Sequence, residues 1–250
     1  MRAWWTLTRR ELAGFYLSLS GYVIMAAAVF LMGGSFVVLM KNLQREASPM
    51  PVTEVFYNTQ FFWLILLLTT PVITMRLFAL EKFSGTFETL MTTPVTDLQV
   101  VLAKFTAAQV FYTVMWLPLL ACLLIVRHFT HDAATFDPGV IGSTYLGILL
   151  LGSVFISLGC FASALTRSQV IAVIISLVFG ATLFMIAWVV DGLPAQGGWA
   201  GRMLACLAFF EQMHYFARGV VDTRPVVLLA SLTLFFLFLT LRVVESRRWK

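Results

Sequence analysis

The chain has 250 residues, 60% of them apolar and 12% charged, with a mean hydropathy of +0.91 and a net charge of +5. A soluble globule of this length has too little interior for so much apolar side chain, and the same figures exclude disorder. Modest glycine and cysteine contents exclude collagen-like and disulfide-stapled folds, which leaves an integral membrane protein.

Residues 1–18 read as an amphipathic helix lying on the membrane surface. Trp4, Trp5, Leu7, Leu12, Phe15 and Tyr16 face the bilayer, while Arg2, Arg9, Arg10 and Glu11 face headgroups and water. An ordinary aromatic and basic anchor belt would use the same residues. The first span follows at 19–40, without an ionisable residue and with Gly33 and Gly34. The second, at 56–75, is diluted at its start by Asn58, Thr59 and Gln60 and ends near Pro71.

The segment 76–99 is the most informative. Apolar residues at Phe83, Phe87, Leu90 and Met91 recur at helical spacing, and Thr92-Thr93-Pro94 stops that helix. Thr96 caps the next helix, with Gln99 as its capping-box partner. Two helices therefore meet at a proline turn. A solvated connector has no need of exposed Phe87, Leu90 and Met91, so this surface suits a partner protein.

The third span, 100–126, carries Lys104 near its start and Gln109 further in. The fourth, 140–165, is rich in small residues, with Gly159 and Ser163 as a small-xxx-small pair that serves packing within the chain or between copies. The fifth, 170–190, is stopped by Asp191-Gly192 and Pro194. In the long segment before the sixth span, Glu211, His214, Tyr215, Arg218 and Asp222 recur three or four apart and share one helical face. Two ligands, Glu211 and His214, do not make a metal site; an ion pair such as Glu211 with Arg218, or a polar exit path, fits better. The sixth span is 226–244. Hydroxyls at Thr69, Thr70, Thr113, Ser176, Thr182 and Ser231 line a pathway or bond to backbone. Together these runs make an all-α protein of one membrane domain, residues 1–250, with six transmembrane helices.

With the N-terminus inside, eleven Lys and Arg fall on inner segments and six on outer ones. This bias puts both termini in the cytoplasm. The basic residues flank apolar runs, so the charge reflects topology and not nucleic-acid binding. Few ionisable groups lie in the spans, which disfavours proton-coupled carriers and charged-ring channels. No lysine is followed by Ser or Thr, so no phosphate-binding P-loop exists; the chain is not an ATPase, and any work it does draws energy from another subunit.

Three segments resemble the permease subunits of type-2 ABC transporters, with the closest likeness to the gliding-motility-type branch. They are Arg9-Arg10-Glu11-Leu12 with Phe15-Tyr16 and Ser20-Gly21-Tyr22; Glu81 to Leu90 with Thr92-Thr93-Pro94-Val95 and Lys104-Phe105; and His214-Tyr215-Phe216 with Arg218 to Asp222. The resemblance implies a permease that pairs with a second permease chain, as homo- or heterodimer, and binds a separate ABC ATPase subunit, which holds ATP and Mg; no cofactor is expected in this chain. It implies export across the bacterial plasma membrane. It further implies that Glu81, Lys82, Gly85, Thr86, Phe87, Glu88, Leu90 and Pro94 form the ATPase contact, with Pro94 ending the coupling helix. Trp4, Trp5, Arg9, Arg10 and Glu11 belong to the lipid-contacting interfacial helix. Glu211, His214, Tyr215 and Arg218 form an extracytoplasmic face open to an accessory protein. The alternative is a non-transporting anchor that passes ATPase-driven motion to an outer partner.

Overall fold

The computed structural model describes residues 2–45, 60–87, 95–130, 138–191 and 208–246, and all regular structure among them is helical. An apolar run in lipid must satisfy its backbone internally, which selects helices. In chain order they are α1 (Arg2–Tyr16), α2 (Leu19–Arg45), α3 (Gln60–Thr74), α4 (Ala79–Ser84), α5 (Asp97–Thr130), α6 (Pro138–Leu165), α7 (Gln169–Asp191), α8 (Phe209–Ala217) and α9 (Thr223–Glu245). Among the described residues six stretches are long and apolar enough to cross a membrane; five match the expected spans to within three residues, while the second, Phe61–Ser84, runs nine residues past the expected end at 75. Positions 56–59 of the second expected span lie outside the described residues.

The bundle is built around α6, in whose apolar stretch 72% is buried, against 22% for α7 and for α9. It packs on α3, α5, α7, α8 and α9. Its glycines make this possible. A Cβ at Gly159 would stand 2.1 Å from Thr74 Oγ1, and one at Gly152 would stand 2.2 Å from the Tyr112 ring. At Gly147 the space is filled by Phe216. Gly147, Gly152 and Gly159 therefore serve packing within the chain, one of the two uses the sequence left open. Deep hydroxyls resolve similarly: Thr69, Thr70, Thr113, Thr182 and Ser231 each donate to a backbone carbonyl one turn back. Gln109 donates to the Leu149 carbonyl at 3.1 Å, tying α5 to α6.

Past Pro71, α3 continues to Thr74, and the chain then turns into α4. Gly85 ends α4 with φ 73°, the left-handed conformation that an L side chain resists. The expected helix through Phe83 and Phe87 is thus interrupted: the apolar spacing runs across a glycine cap. Leu90, Met91, Pro94 and Glu88 lie outside the described residues. The capping box of α5 is present, with Thr96 N–H donating to Gln99 Oε1 and Gln99 N–H to Thr96 Oγ1, both at 3.4 Å.

At the other end α8 closes with a Schellman turn. Val220 N–H donates to the Tyr215 carbonyl and Gly219 N–H to that of Phe216, with Gly219 at φ 85°. Ser143 of α6 donates to the Phe216 carbonyl at 2.7 Å. Asp222 is not on the α8 face, as the spacing suggested. It lies past that turn and caps α9, accepting from Arg224 N–H at 3.2 Å. The i, i+4 count ran through a helix end.

Candidate functional site

The strongest concentration of chemistry lies where α1, α4 and the start of α5 meet. Thr8 and Phe15 are buried, and with Glu11 they fall three and four apart on one face of α1 that packs on α5. Thr8 Oγ1 lies 3.3 Å from Thr106 Oγ1, and Phe15 stacks on Phe111 at 4.9 Å between ring centroids. Glu11 sits between these contacts and is directed at Lys104. The sequence reading placed Glu11 in the headgroup layer and Phe15 in the bilayer; both instead face the bundle, because α5 offers a cation and an aromatic ring there.

Lys104 Nζ is 3.1 Å from Glu11 Oε1 and 2.9 Å from Glu81 Oε2. Arg10 Nη2 is 2.9 Å from Glu11 Oε1 and 3.0 Å from Glu81 Oε1. Two cations and two carboxylates thus form a closed set that joins α1, α4 and α5. The Lys104 side chain is 2% exposed, the carboxylates 16% and Arg10 53%, so the set runs from a dry interior to the surface. Lys104 Nζ also lies 5.5 Å from the centroid of the Phe78 ring. A lone charge here would be strongly disfavoured; with two carboxylates at hydrogen-bond range it is held.

A second clamp holds the turn before α4. Ser163 Oγ accepts from Phe78 N–H and Ala79 N–H, each at 3.1 Å, and donates to the Met75 carbonyl at 3.2 Å. Lys82 Nζ donates to the Ala164 carbonyl at the C-terminal end of α6, where the helix dipole favours a cation. It also lies 5.6 Å from the centroid of the Phe87 ring.

These contacts correct two expectations. Lys82 and Phe87 were placed on an exposed partner surface, yet they are buried at 7% and 5%. The exposed aromatic is Phe83, at 78%, beside exposed Gly85 and Thr86. Gly85 ends the helix after Phe83, so Phe87 folds back under the turn against Phe78. Of the α1 residues, Trp5, Arg9 and Arg10 are exposed and Trp4 is half-buried. Lys104 is the residue that sequence reasoning missed as part of the site. The signal was available: a lysine inside an apolar span calls for a polar partner, a carboxylate or a backbone carbonyl.

Burial pushes the Glu11 carboxyl up, but the Lys104 charge and the hydrogen bonds from Arg10 and Lys104 outweigh it and hold the group below its ordinary value. A depressed carboxylate stabilises the fold fully above its unfolded pKa, about 4.3, and loses that contribution as pH falls through the lower native value. Thermal unfolding in detergent between pH 7 and pH 3 is therefore expected to show an acid limb beginning below about pH 4. Glu11→Gln lowers the neutral plateau and flattens that limb; an unchanged limb would remove Glu11 as its origin.

At the far end of the bundle, Glu211 accepts from the Tyr215 hydroxyl at 3.4 Å, and Tyr215 and Arg218 are exposed. His214 is half-buried on the same short helix. Among the described residues no three His, Cys, Asp or Glu side chains gather as a metal site.

Residues 19–182 match the family described as ABC-2 family transporter protein. No curated protein matches the chain.

Proposed function

Because the chain belongs to the ABC-2 family of transporter proteins, the membrane component of such systems and not their ATPase, we infer that it is the permease subunit of an ATP-binding cassette exporter. It pairs with a second permease chain and takes its energy from a separate ATPase subunit, where ATP and Mg are held. The end bearing α1 and α4 faces the cytoplasm of a bacterial cell, both termini lie on that side, and Glu211, Tyr215 and Arg218 lie on the outer side. The observation that supports this best is the ionic set of Arg10, Glu11, Glu81 and Lys104. It binds the surface helix, the segment after the second span and the third span into one unit, so a push on that surface reaches the spans together.

In this reading Phe83, Gly85 and Thr86, with Arg9 and Arg10, touch the ATPase. Lys82 and Phe87 act from beneath, by holding the turn. Glu88, Leu90 and Pro94 continue the same contact.

The test is affinity purification of the tagged chain in mild detergent, with co-purifying proteins identified by mass spectrometry. A stoichiometric ATPase carrying a P-loop is expected, and Phe83→Asp is expected to lose it while leaving the chain monodisperse. If no ATPase accompanies the wild-type chain under several gentle conditions, the permease reading falls. ATP-dependent flux in liposomes then separates an exporter from an anchor that only transmits motion.

A further inference from the structure

We propose that the elbow between α1 and α2 holds one anionic phospholipid, with its phosphate on Arg76. The proposal rests on the membrane-spanning fold and not on the ATPase reading.

Arg76 stands in the turn between α3 and α4, half-buried, and reaches back to the elbow, where Nη1 donates to Ser18 Oγ at 3.0 Å and to Ser20 Oγ. Among the described residues no carboxylate lies within ion-pair distance of it. A guanidinium that is half out of water normally has an anion to neutralise it. Arg76 lines a cavity of about 120 Å³ whose wall also includes Gly14, Phe15, Leu77, Glu11 and Glu81. Those carboxylates would repel an anion if they were free, but each is already held between Arg10 and Lys104. With Glu11 and Glu81 neutralised by Arg10 and Lys104, which stand outside the cavity wall, Arg76 is the one charge lining the cavity without an ion-pair partner among the described residues. The N-terminus of α2, whose Gly21 N–H bonds to Ser18 Oγ, adds a dipole of the same sign beside it.

The surroundings favour a lipid over a free anion. Leu17 and Leu19 flank the elbow at 85% and 83% exposure, so the position lies at the bilayer surface. Next to the elbow an apolar groove of about 640 Å³ runs along α2, lined by Tyr16, Tyr22, Met25, Val29 and Phe30. A headgroup phosphate at Arg76 and an acyl chain against α2 use both features; inorganic phosphate needs only one. Gly14 borders the cavity on the α1 side, and no atom lies within 4 Å of where its Cβ would stand.

The test uses the full chain, purified in neutral detergent and stripped of lipid, with binding of phosphatidylglycerol and phosphatidylcholine followed by native mass spectrometry. One phosphatidylglycerol is expected to be retained in preference to phosphatidylcholine. Arg76→Gln weakens that binding about tenfold, the effect expected from losing a charge-assisted hydrogen bond. Arg224→Gln, an exposed cation at the opposite end, leaves it unchanged. Gly14→Leu, which sets a bulky chain at the cavity wall without altering Arg76, gives a similar loss and keeps the test valid if Arg76→Gln fails to fold. Equal retention of the two lipids, or no loss in either variant, overturns the proposal. Displacement of the lipid by millimolar inorganic phosphate would assign the site to a free anion and overturn it as well.

Discussion

Lys104→Met is expected to be the most damaging single substitution at the α1 end of the bundle. It leaves Glu11 and Glu81 facing each other with only Arg10 between them, and Arg10 is mostly exposed. Removing one partner of a buried ion pair costs about 3–5 kcal/mol, and the residual exposure of the carboxylates places this case near the lower figure. For a chain of this length, about 3 kcal/mol corresponds to a fall of roughly 6–12 °C in Tm. The measurement is thermal unfolding in detergent, repeated for Lys104→Met combined with Glu11→Gln and Glu81→Gln. The triple variant recovers most of the loss, because the uncompensated charges are gone. If it is no more stable than Lys104→Met, the lysine acts through packing and the ionic account is wrong. Under the proposed function Lys104→Met also weakens capture of the ATPase subunit, since α4 and α1 lose their common anchor.

The second large effect is expected from the glycines of α6. Gly152→Ala drives a methyl into the Tyr112 ring and Gly159→Ala drives one into Thr74. Both partners are fully buried side chains and have nowhere to withdraw. Overpacking of this kind costs about 1–3 kcal/mol per site. The two positions are about 10 Å apart along the helix and touch different neighbours, so their effects add. The double variant then loses about 2–6 kcal/mol, a large share of the stability of an ordinary domain. Tyr112→Leu restores Gly152→Ala and not Gly159→Ala. Restoration of both, or of neither, would mean that α6 does not pack through these contacts.

The two predictions probe different kinds of information. The six spans were legible because lipid imposes one requirement on every residue of a run, and that requirement is written locally as about 20 apolar residues. The capping box at Thr96 and Gln99 was legible for the same reason: both partners lie within one turn. Failures came where a local period crossed a local stop. Phe87 was assigned to the surface by spacing from Phe83, but Gly85 ends α4 between them. Asp222 was counted onto the α8 face although Gly219 ends that helix three residues earlier.

The amino-acid sequence by itself determined that this is an all-helical membrane protein with six spans, a helix before them and an informative segment after the second. Those properties depend on composition and short-range pattern. Only the tertiary structure decided which charges meet. Glu11, Glu81 and Lys104 are separated by up to 93 positions, and nothing in their local surroundings says that one helix face will bring them within 3.1 Å. It also decided that the deep hydroxyls close backbone bonds and that the small residues of α6 receive Tyr112, Thr74 and Phe216. Both outcomes depend on how closely two helices approach, and that distance is set by the pair and not by either helix alone.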